Sequence, residues 1–112
     1  MIDIRQGDCL ELMKDITDES IDLIVTDPPY KVISGGKPTK SYQPSGILSL
    51  NDGKIFKFND IDAKLWFPEL YRVLKNNSHC YIMTNLLNLK NYMELSEENG
   101  FKIHNLLVWE KK

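Results

Sequence analysis

Cysteines, long apolar stretches and signal-peptide features are scarce or absent in this chain of 112 residues. Its two cysteines, Cys9 and Cys80, are too few for a disulfide scaffold, so we expect two reduced thiols and a cytoplasmic protein. No apolar run approaches the ~18–20 residues that span a bilayer, and the first residues lack the basic and apolar regions of a signal peptide. We therefore expect neither a secreted nor a membrane protein, and the length allows one domain.

A large net charge is also missing, since the formal charge is only −2. The charges are nevertheless unevenly distributed along the chain. Residues 1–30 carry eight acids and two bases, whereas residues 31–57 carry five lysines and one aspartate. Phosphate contacts supply most of the affinity of proteins for nucleic acids, so the basic segment suits a polyanionic ligand. The alternative is that these lysines only keep a loop soluble.

The first thirty residues predict a strand, a helix and a second strand. We expect a strand at residues 2–5, a turn at Gly7, and a helix that Asp8 caps and that continues to about residue 15. The segment Ile21–Thr26 is rich in β-branched residues and contains three consecutive apolar ones, which predicts a strand covered on both faces. That strand has to end at residues 27–30, DPPY, because prolines cannot donate to a β-ladder.

The rest of the chain predicts further helices and strands after a long loop at residues 31–58, with a weak strand near residues 55–58. The elements expected after it are a helix at 62–75 that contains Pro68 and ends at Asn76-Asn77, a strand at 79–84, a helix at 88–98 that Gly100 ends, and a strand at 101–109. Strands that alternate with helices imply parallel pairing. The predicted fold class is therefore α/β, with a doubly wound parallel sheet.

The tetrapeptide DPPY, residues 27–30, is the most informative motif because it directly follows a strand predicted to be buried. Doubly wound sheets bind their ligands beyond the carboxyl ends of the strands, where this motif and the Gly7-Asp8 turn are both predicted to lie. The plain alternative is an Asp-Pro turn with Tyr30 packed on the rim of the sheet. Ordinary turns rarely need two prolines followed by an aromatic residue, so the pattern favours a functional site.

The segment IRQGDCLELMKDITDESIDLIVTDPPY resembles the opening of the amino-methyltransferases of DNA, in the circularly permuted group whose DPPY motif precedes the cofactor-binding motif. Two later segments, LYRVLKNNSHCYIMTN and FKIHNLLVWEKK, are similar to the same family. The resemblance implies a Rossmann-like methyltransferase fold, S-adenosylmethionine as cofactor and DNA as partner. Family members with DPPY mostly methylate adenine N6, whereas those acting on cytosine N4 more often have serine in place of Asp27. Cytosine N4, RNA and protein glutamine stay open as alternative substrates.

Residues 27–30 suit the reaction that the resemblance implies. The lone pair of an exocyclic base amine is delocalised into the ring, so this amine is a poor nucleophile. If the Asp27 carboxylate and the Pro28 carbonyl each accept one of its N–H groups, the nitrogen becomes more tetrahedral and its lone pair points at the methyl group. Pro29 stiffens this backbone, and Tyr30 offers a ring for stacking on a base flipped out of the duplex.

The resemblance also implies a cofactor site, made of Gly7, Asp8, Cys9 and Asp27. Asp8 would accept a hydrogen bond from the adenine amine of S-adenosylmethionine, and the backbone N–H of Cys9 would meet a ring nitrogen. The plain alternatives are that Asp8 is a helix N-cap and that Cys9 is a small buried side chain. DNA is expected near the basic loop, through three lysines: Lys31, Lys37 and Lys40.

The family has a glycine-rich turn, Phe-x-Gly-x-Gly in outline, that approaches the cofactor closely. None of the six glycines of this sequence forms such a motif. In the permuted group that motif lies C-terminal. We therefore expect residues 1–112 to be the N-terminal part of a methyltransferase domain, with a partial sheet that lacks the C-terminal cofactor-motif strand. Uncovered strand edges and apolar faces then predict self-association or a complementary C-terminal half, and weak or no binding of S-adenosylmethionine. A catalytically incompetent binding module is the alternative.

No metal site is expected, because the cysteines and histidines lack the close paired spacing of zinc ligands. His79 and His104 are expected in strands or at their rims. The large aromatic residues of the second half are expected in the core rather than in a ligand platform: Trp66, Phe101 and Trp109.

Overall fold

The computed structural model describes residues 1–29 and 61–110, so the predicted loop and its weak strand lie outside the described residues. In chain order the elements are helix α1 (Cys9–Leu12), a 3₁₀ turn (Met13–Asp15), strand β1 (Ile21–Thr26), helix α2 (Ala63–Val73), strand β2 (Leu74–Ile82) and helix α3 (Leu86–Glu98). Strands β1 and β2 pair in parallel, with Val25 opposite Tyr81. The described residues thus form a small α/β unit, and the predicted parallel pairing is confirmed. None of its helices is long and apolar enough to cross a bilayer.

Helix α2 supplies most of the core because its apolar residues recur on one face. The buried residues of this face are spaced as helical neighbours: Ala63, Trp66, Phe67 and Leu70. The ring of Phe67 stacks on Trp66, with centroids 4.5 Å apart, and meets the edge of Tyr92 from α3 at 5.5 Å. The predicted place of Trp66 in the core is confirmed, since only 4% of it is exposed.

Asp62 sets the beginning of α2, because its carboxylate accepts a hydrogen bond from the backbone N–H of Lys64 at 3.0 Å. Pro68 lies inside the helix as its sixth residue, so the carbonyl of Lys64 loses one helical partner there. The exposed Pro68 ring lies on the solvent side of α2.

The predicted end of α2 at Asn76-Asn77 is wrong, because the helix ends at Val73 and β2 begins at Leu74. Pairing with β1 takes over at this point, with Leu74 opposite Ile21. The register then shifts, so that His79 is opposite Leu23 and β2 bulges between the two pairs. Asn77 lies in the bulge with φ of 60°, a conformation that asparagine tolerates better than most residues.

Arg72 joins the end of α2 to the segment before β1. Its guanidinium donates to the carbonyls of Met13 and Ile16 at 2.8 Å each, and to the carboxylate of Glu69 at 2.7 Å. The hydrogen bond to Glu69 is the main reason why the pKa of Arg72 is raised. These contacts fix residues 13–18 against the end of the helix at which β2 starts.

The strands predicted at residues 2–5 and 101–109 are wrong: neither segment is a strand in the structure. A strand needs a neighbour to pair its backbone N–H and C=O groups, and among the described residues β1 and β2 have no third strand beside them. Ile4 is 89% exposed and Trp109 is 84% exposed, so Trp109 is not the core residue that its size predicted. Phe101 is half-buried and packs against Tyr71, with ring centroids 5.2 Å apart.

The two faces of the sheet differ, which corrects the prediction of strands covered on both faces. On the covered face, three half-buried side chains pack against the core of α2 and α3: Ile24, Cys80 and Ile82. On the open face, four large apolar side chains are 47–60% exposed within the described residues: Leu23, Val25, Tyr81 and Met83.

Candidate active site

Residues 27–29 form a corner where β1 ends. The backbone N–H of Met83 donates to the carbonyl of Thr26 at 2.9 Å, which extends the pairing of the strands to the start of the corner. Pro28 has no N–H with which to continue the ladder. Pro28 is buried, whereas Asp27 and Pro29 are exposed. The corner therefore combines a fixed proline with a carboxylate that solvent reaches.

Helix α3 begins at the same edge of the sheet as the corner. Because Thr26 is opposite Ile82, residues 83–85 leave β2 beside residues 27–29. Asn85 caps α3, since its Oδ1 accepts hydrogen bonds from the backbone N–H of Asn88 at 3.0 Å and from the side-chain amide of Asn88 at 2.7 Å. This capping sets the beginning of α3 a few residues after Met83, whose backbone N–H donates to the end of β1.

Thr84 has an unusual hydroxyl group at this edge. Its Oγ1 is buried and makes no hydrogen bond with the described residues. A buried hydroxyl without a partner destabilises the folded state by about 1–3 kcal/mol, so such groups are rare in proteins. Thr84 is not among the site residues that the sequence predicted. The signal was available, because Thr84 ends the strand predicted at 79–84 and therefore lies at the carboxyl edge, where ligands bind.

The turn at residues 7–9 begins α1. Oδ1 of Asp8 accepts a hydrogen bond from the backbone N–H of Leu10 at 2.9 Å, so the N-cap role of Asp8 is confirmed. Gly7 has φ of 157°, and a Cβ added there would lie 3.3 Å from Cδ1 of Leu12. Cys9 is exposed, so the expectation of a small buried side chain is wrong: the first turn of α1 is short and contains no buried residue.

The structure does not join the two predicted halves of the site. Within residues 1–29 and 61–110, no hydrogen bond or ion pair connects the turn at residues 7–9 with the corner. Tyr30 and the three lysines expected near DNA lie outside the described residues: Lys31, Lys37 and Lys40. The described part of the site is thus the corner with the neighbouring start of α3.

Burial of Cys80 on the covered face raises the pKa of its thiol to about 11. Cys80 is therefore a neutral packing group, and not a nucleophile, at physiological pH. His79 and His104 have ring centroids 6.1 Å apart. In the part of the chain that the structure describes, no group of three His, Cys, Asp or Glu side chains is arranged to hold a metal ion.

Comparison with known proteins bears on what this corner does. A family model described as DNA methylase matches residues 21–112, which include both strands, the corner and α3. The chain belongs to this DNA methylase family. The match covers most of the chain, and the DPPY motif lies inside it.

Three curated relatives of the chain are named type II methyltransferases. M2.MboI of Moraxella bovis is 35% identical over 114 residues, and M.HinfI of Haemophilus influenzae is 34% identical over 115 residues. M2.LlaDCHI of Lactococcus lactis subsp. cremoris is 31% identical over 110 residues. The matches cover 94–96% of this chain but only 31–40% of the relatives. The family is thus enzymatic, and no solved structure matches the chain.

Proposed function

We propose that this chain is the base-activating part of an S-adenosylmethionine-dependent DNA methyltransferase that acts on adenine N6. The observation that carries this proposal is the exposed Asp27 carboxylate, which a buried proline follows at the carboxyl edge of a parallel sheet. The membership of the chain in a DNA methylase family supports methyl transfer to DNA as the reaction type. The DPPY motif favours adenine over cytosine, and the type II names of the relatives support a role in restriction–modification.

In the proposed reaction, the Asp27 carboxylate and the Pro28 carbonyl each accept one N–H of the target amine. The two hydrogen bonds draw the nitrogen toward tetrahedral geometry and direct its lone pair away from the ring. The methyl group would come from S-adenosylmethionine: the new N–CH3 bond would form as the S–CH3 bond breaks, and S-adenosylhomocysteine would leave. The methylated nitrogen then loses one proton, which the exposed Asp27 carboxylate accepts and passes to solvent.

The turn at residues 7–9 fits the cofactor in part. Oδ1 of Asp8 caps α1, whereas Oδ2 makes no hydrogen bond within the described residues and is left for the adenine amine of the cofactor. Cys9 would contribute its backbone N–H. The sequence has no glycine-rich turn, so we propose that the chain alone binds S-adenosylmethionine weakly or not at all. Titration calorimetry that gave a micromolar Kd for the purified chain would contradict this.

The decisive experiment measures transfer of tritiated methyl groups to DNA by the wild-type chain and by Asp27→Asn, each mixed with the part of M2.MboI that lies outside the match, because the chain alone is proposed to bind the cofactor weakly. The substitution keeps the shape of the side chain but weakens the acceptor and removes its charge. We expect transfer to fall by about 1,000-fold or more, with an unchanged Tm because Asp27 is exposed. Asp22→Asn, at the other end of β1, is the matched control and should transfer normally. Equal transfer by Asp27→Asn and the wild type would refute the role of Asp27.

The methylated product identifies the substrate. Mass analysis of nucleosides should find N6-methyladenine. N4-methylcytosine, or methyl groups on RNA or on protein glutamine, would indicate one of the alternative substrates. A wild-type chain that, mixed with the same part of M2.MboI, bound DNA without transferring methyl groups would instead be a non-catalytic binding module.

We also propose that the complete fold is Rossmann-like, and that a complementary methyltransferase polypeptide covers the open face. Parallel sheets are normally covered on both faces, and the relatives contain 60–69% of their length outside the match. The test mixes the chain with the unmatched part of M2.MboI and measures complex formation by sedimentation. Val25→Lys should weaken the complex at least tenfold, because it places a charge in the apolar contact. A homodimer that the added polypeptide does not dissociate would show that a second copy covers the face.

The remaining site residues complete the proposal. Tyr30 would stack on the flipped base, and the lysines of the basic segment would contact DNA phosphates: Lys31, Lys37 and Lys40. DNA affinity should then fall steeply with salt, and less steeply after each lysine is replaced by alanine. The two free thiols are consistent with the cytoplasmic location that the sequence predicts.

A further inference from the structure

Thr84 is next to the proposed catalytic corner, although neither the motif nor the proposed reaction uses it. Within residues 1–29 and 61–110, the buried side-chain polar atoms without a hydrogen-bond partner are Oγ1 of Thr84 and Nε1 of Trp66. Trp66 is enclosed by the aromatic core, with Phe67 and Tyr92 around its ring. Thr84, in contrast, lies at the edge where β1 and β2 end.

The register of the sheet brings Thr84 and Pro28 to the same edge. Thr26 is opposite Ile82, and the pairing extends as far as the hydrogen bond from the backbone N–H of Met83 to the carbonyl of Thr26. Pro28 and Thr84 follow two residues after this last pair, beyond the ends of β1 and β2. The hydroxyl of Thr84 and the ring of Pro28 are both buried there, whereas Asp27 is exposed to solvent.

The chemistry of the carbonyl suggests what the hydroxyl does. Valine has the same shape as threonine and would fill the site without an unpaired polar atom. A carbonyl oxygen has two lone pairs, so Pro28 can accept one hydrogen bond from the target amine and a second from a hydroxyl. The second bond would fix the orientation of the carbonyl toward the base.

We propose that Thr84 is a positioning residue for methyl transfer, whose hydroxyl donates to the Pro28 carbonyl once the target amine is bound at the corner. This inference rests on the function proposed above. Thr84 does not touch the reacting atoms in this arrangement. It acts through Pro28: its hydroxyl makes no hydrogen bond within the described residues, so the proposed bond to the carbonyl forms when the target amine binds.

The test compares the wild-type chain with Thr84→Val and Thr84→Ser, each mixed with the part of M2.MboI that lies outside the match, using a DNA duplex that the wild-type mixture methylates. Thr84→Val should lower kcat about tenfold, the effect of losing one hydrogen bond in the transition state, with little change in KM for DNA. Thr84→Ser keeps the hydroxyl and should restore kcat to within about twofold of the wild type. Thr17→Val, which removes an exposed threonine hydroxyl before β1, should have wild-type kcat.

Thermal unfolding without ligand separates positioning from structural support. Thr84→Val should unfold at the same temperature as the wild type or a few degrees higher, because it removes an unpaired buried hydroxyl. A lower Tm for Thr84→Val would mean that the hydroxyl has a partner in the folded chain, and would overturn the inference. Equal kcat for Thr84→Val and an active wild type would overturn it while leaving the proposed function intact. A wild-type mixture that transfers no methyl groups would overturn both.

Discussion

The covered and open faces of the sheet have similar side chains but opposite surroundings. Ile24 and Val25 are adjacent β-branched residues of β1, yet Ile24 packs against the core and Val25 is 60% exposed. On β2, Cys80 and Tyr81 are divided in the same way. A parallel sheet with one bare apolar face is a structure that still has a surface to bury. A run of apolar residues in a strand therefore does not show that both faces of the sheet are buried. Each face is buried only where another element packs against it.

The largest expected effect on stability is in the core of α2 and α3, against which the covered face of the sheet packs. Phe67→Ala removes a side chain that is 0% exposed and should lower the free energy of unfolding by about 3–5 kcal/mol, because it leaves a cavity that α2 and α3 cannot close. Denaturation by urea, followed by far-UV circular dichroism, measures this loss. Leu65→Ala on the exposed side of α2 is the control and should cost less than about 1 kcal/mol. Similar losses for the two variants would mean that α2 does not bury the face described here.

A smaller effect should distinguish the two faces within one strand. Ile24→Ala should lower the free energy of unfolding by about 1–3 kcal/mol, whereas Val25→Ala should change it by less than about 0.5 kcal/mol. The same urea denaturation checks both variants at low protein concentration. If Val25→Ala costs as much as Ile24→Ala, something covers the open face in solution. In the presence of the complementary polypeptide, Val25→Ala should lower the free energy of unfolding about as much as Ile24→Ala does, because the open face is then covered.

The smallest effect should be a pH dependence from the covered face. Burial raises the pKa of Cys80 from 9.0 to about 11, so the neutral thiol is favoured in the folded state. This stabilisation is complete below pH 9 and is lost as the pH rises from 9 to 11. We expect a loss of order 1 kcal/mol, reduced by the partial access of water to Cys80. Urea denaturation at pH 8, 9, 10 and 11 measures it.

Two alanine variants test whether this pH dependence comes from Cys80. Cys80→Ala should remove this part of the pH dependence, and Cys9→Ala should retain it because Cys9 is exposed. An identical pH dependence for the wild type and Cys80→Ala would contradict the burial of the thiol on the covered face.

Local sequence signals predicted the elements whose causes are local. The N-cap at Asp8, the bounds of β1 and the apolar face of α2 follow from a capping carboxylate, β-branched residues and helical spacing. The end of β1 at the corner follows from the prolines. The prediction of strands at 2–5 and 101–109 was wrong because the cause of a strand is not local. A strand needs a neighbouring strand to pair with its backbone, and its own residues do not encode that neighbour.

The candidate site was predictable to the same extent. The motif identified Asp27 and Pro28, because their residue types and their place after a strand carry the signal. Thr84 was not found, because what distinguishes it is a buried hydroxyl without a partner, and neither burial nor pairing can be read from the residue type alone. Its neighbour Asn85 likewise gained its capping role from the place where α3 begins.

Local signals in the sequence specify the residues of the corner, the N-cap at Asp8 and the apolar stripe of α2, because each depends on residues a few positions apart. The tertiary structure settles which face of the sheet is covered, where α2 gives way to β2, and that Thr84 follows β2 at the edge where β1 ends. These features depend on pairing between β1 and β2, which are separated in the chain by 47 intervening residues, 27–73. The free energy of such contacts belongs to both partners, so neither segment specifies it alone.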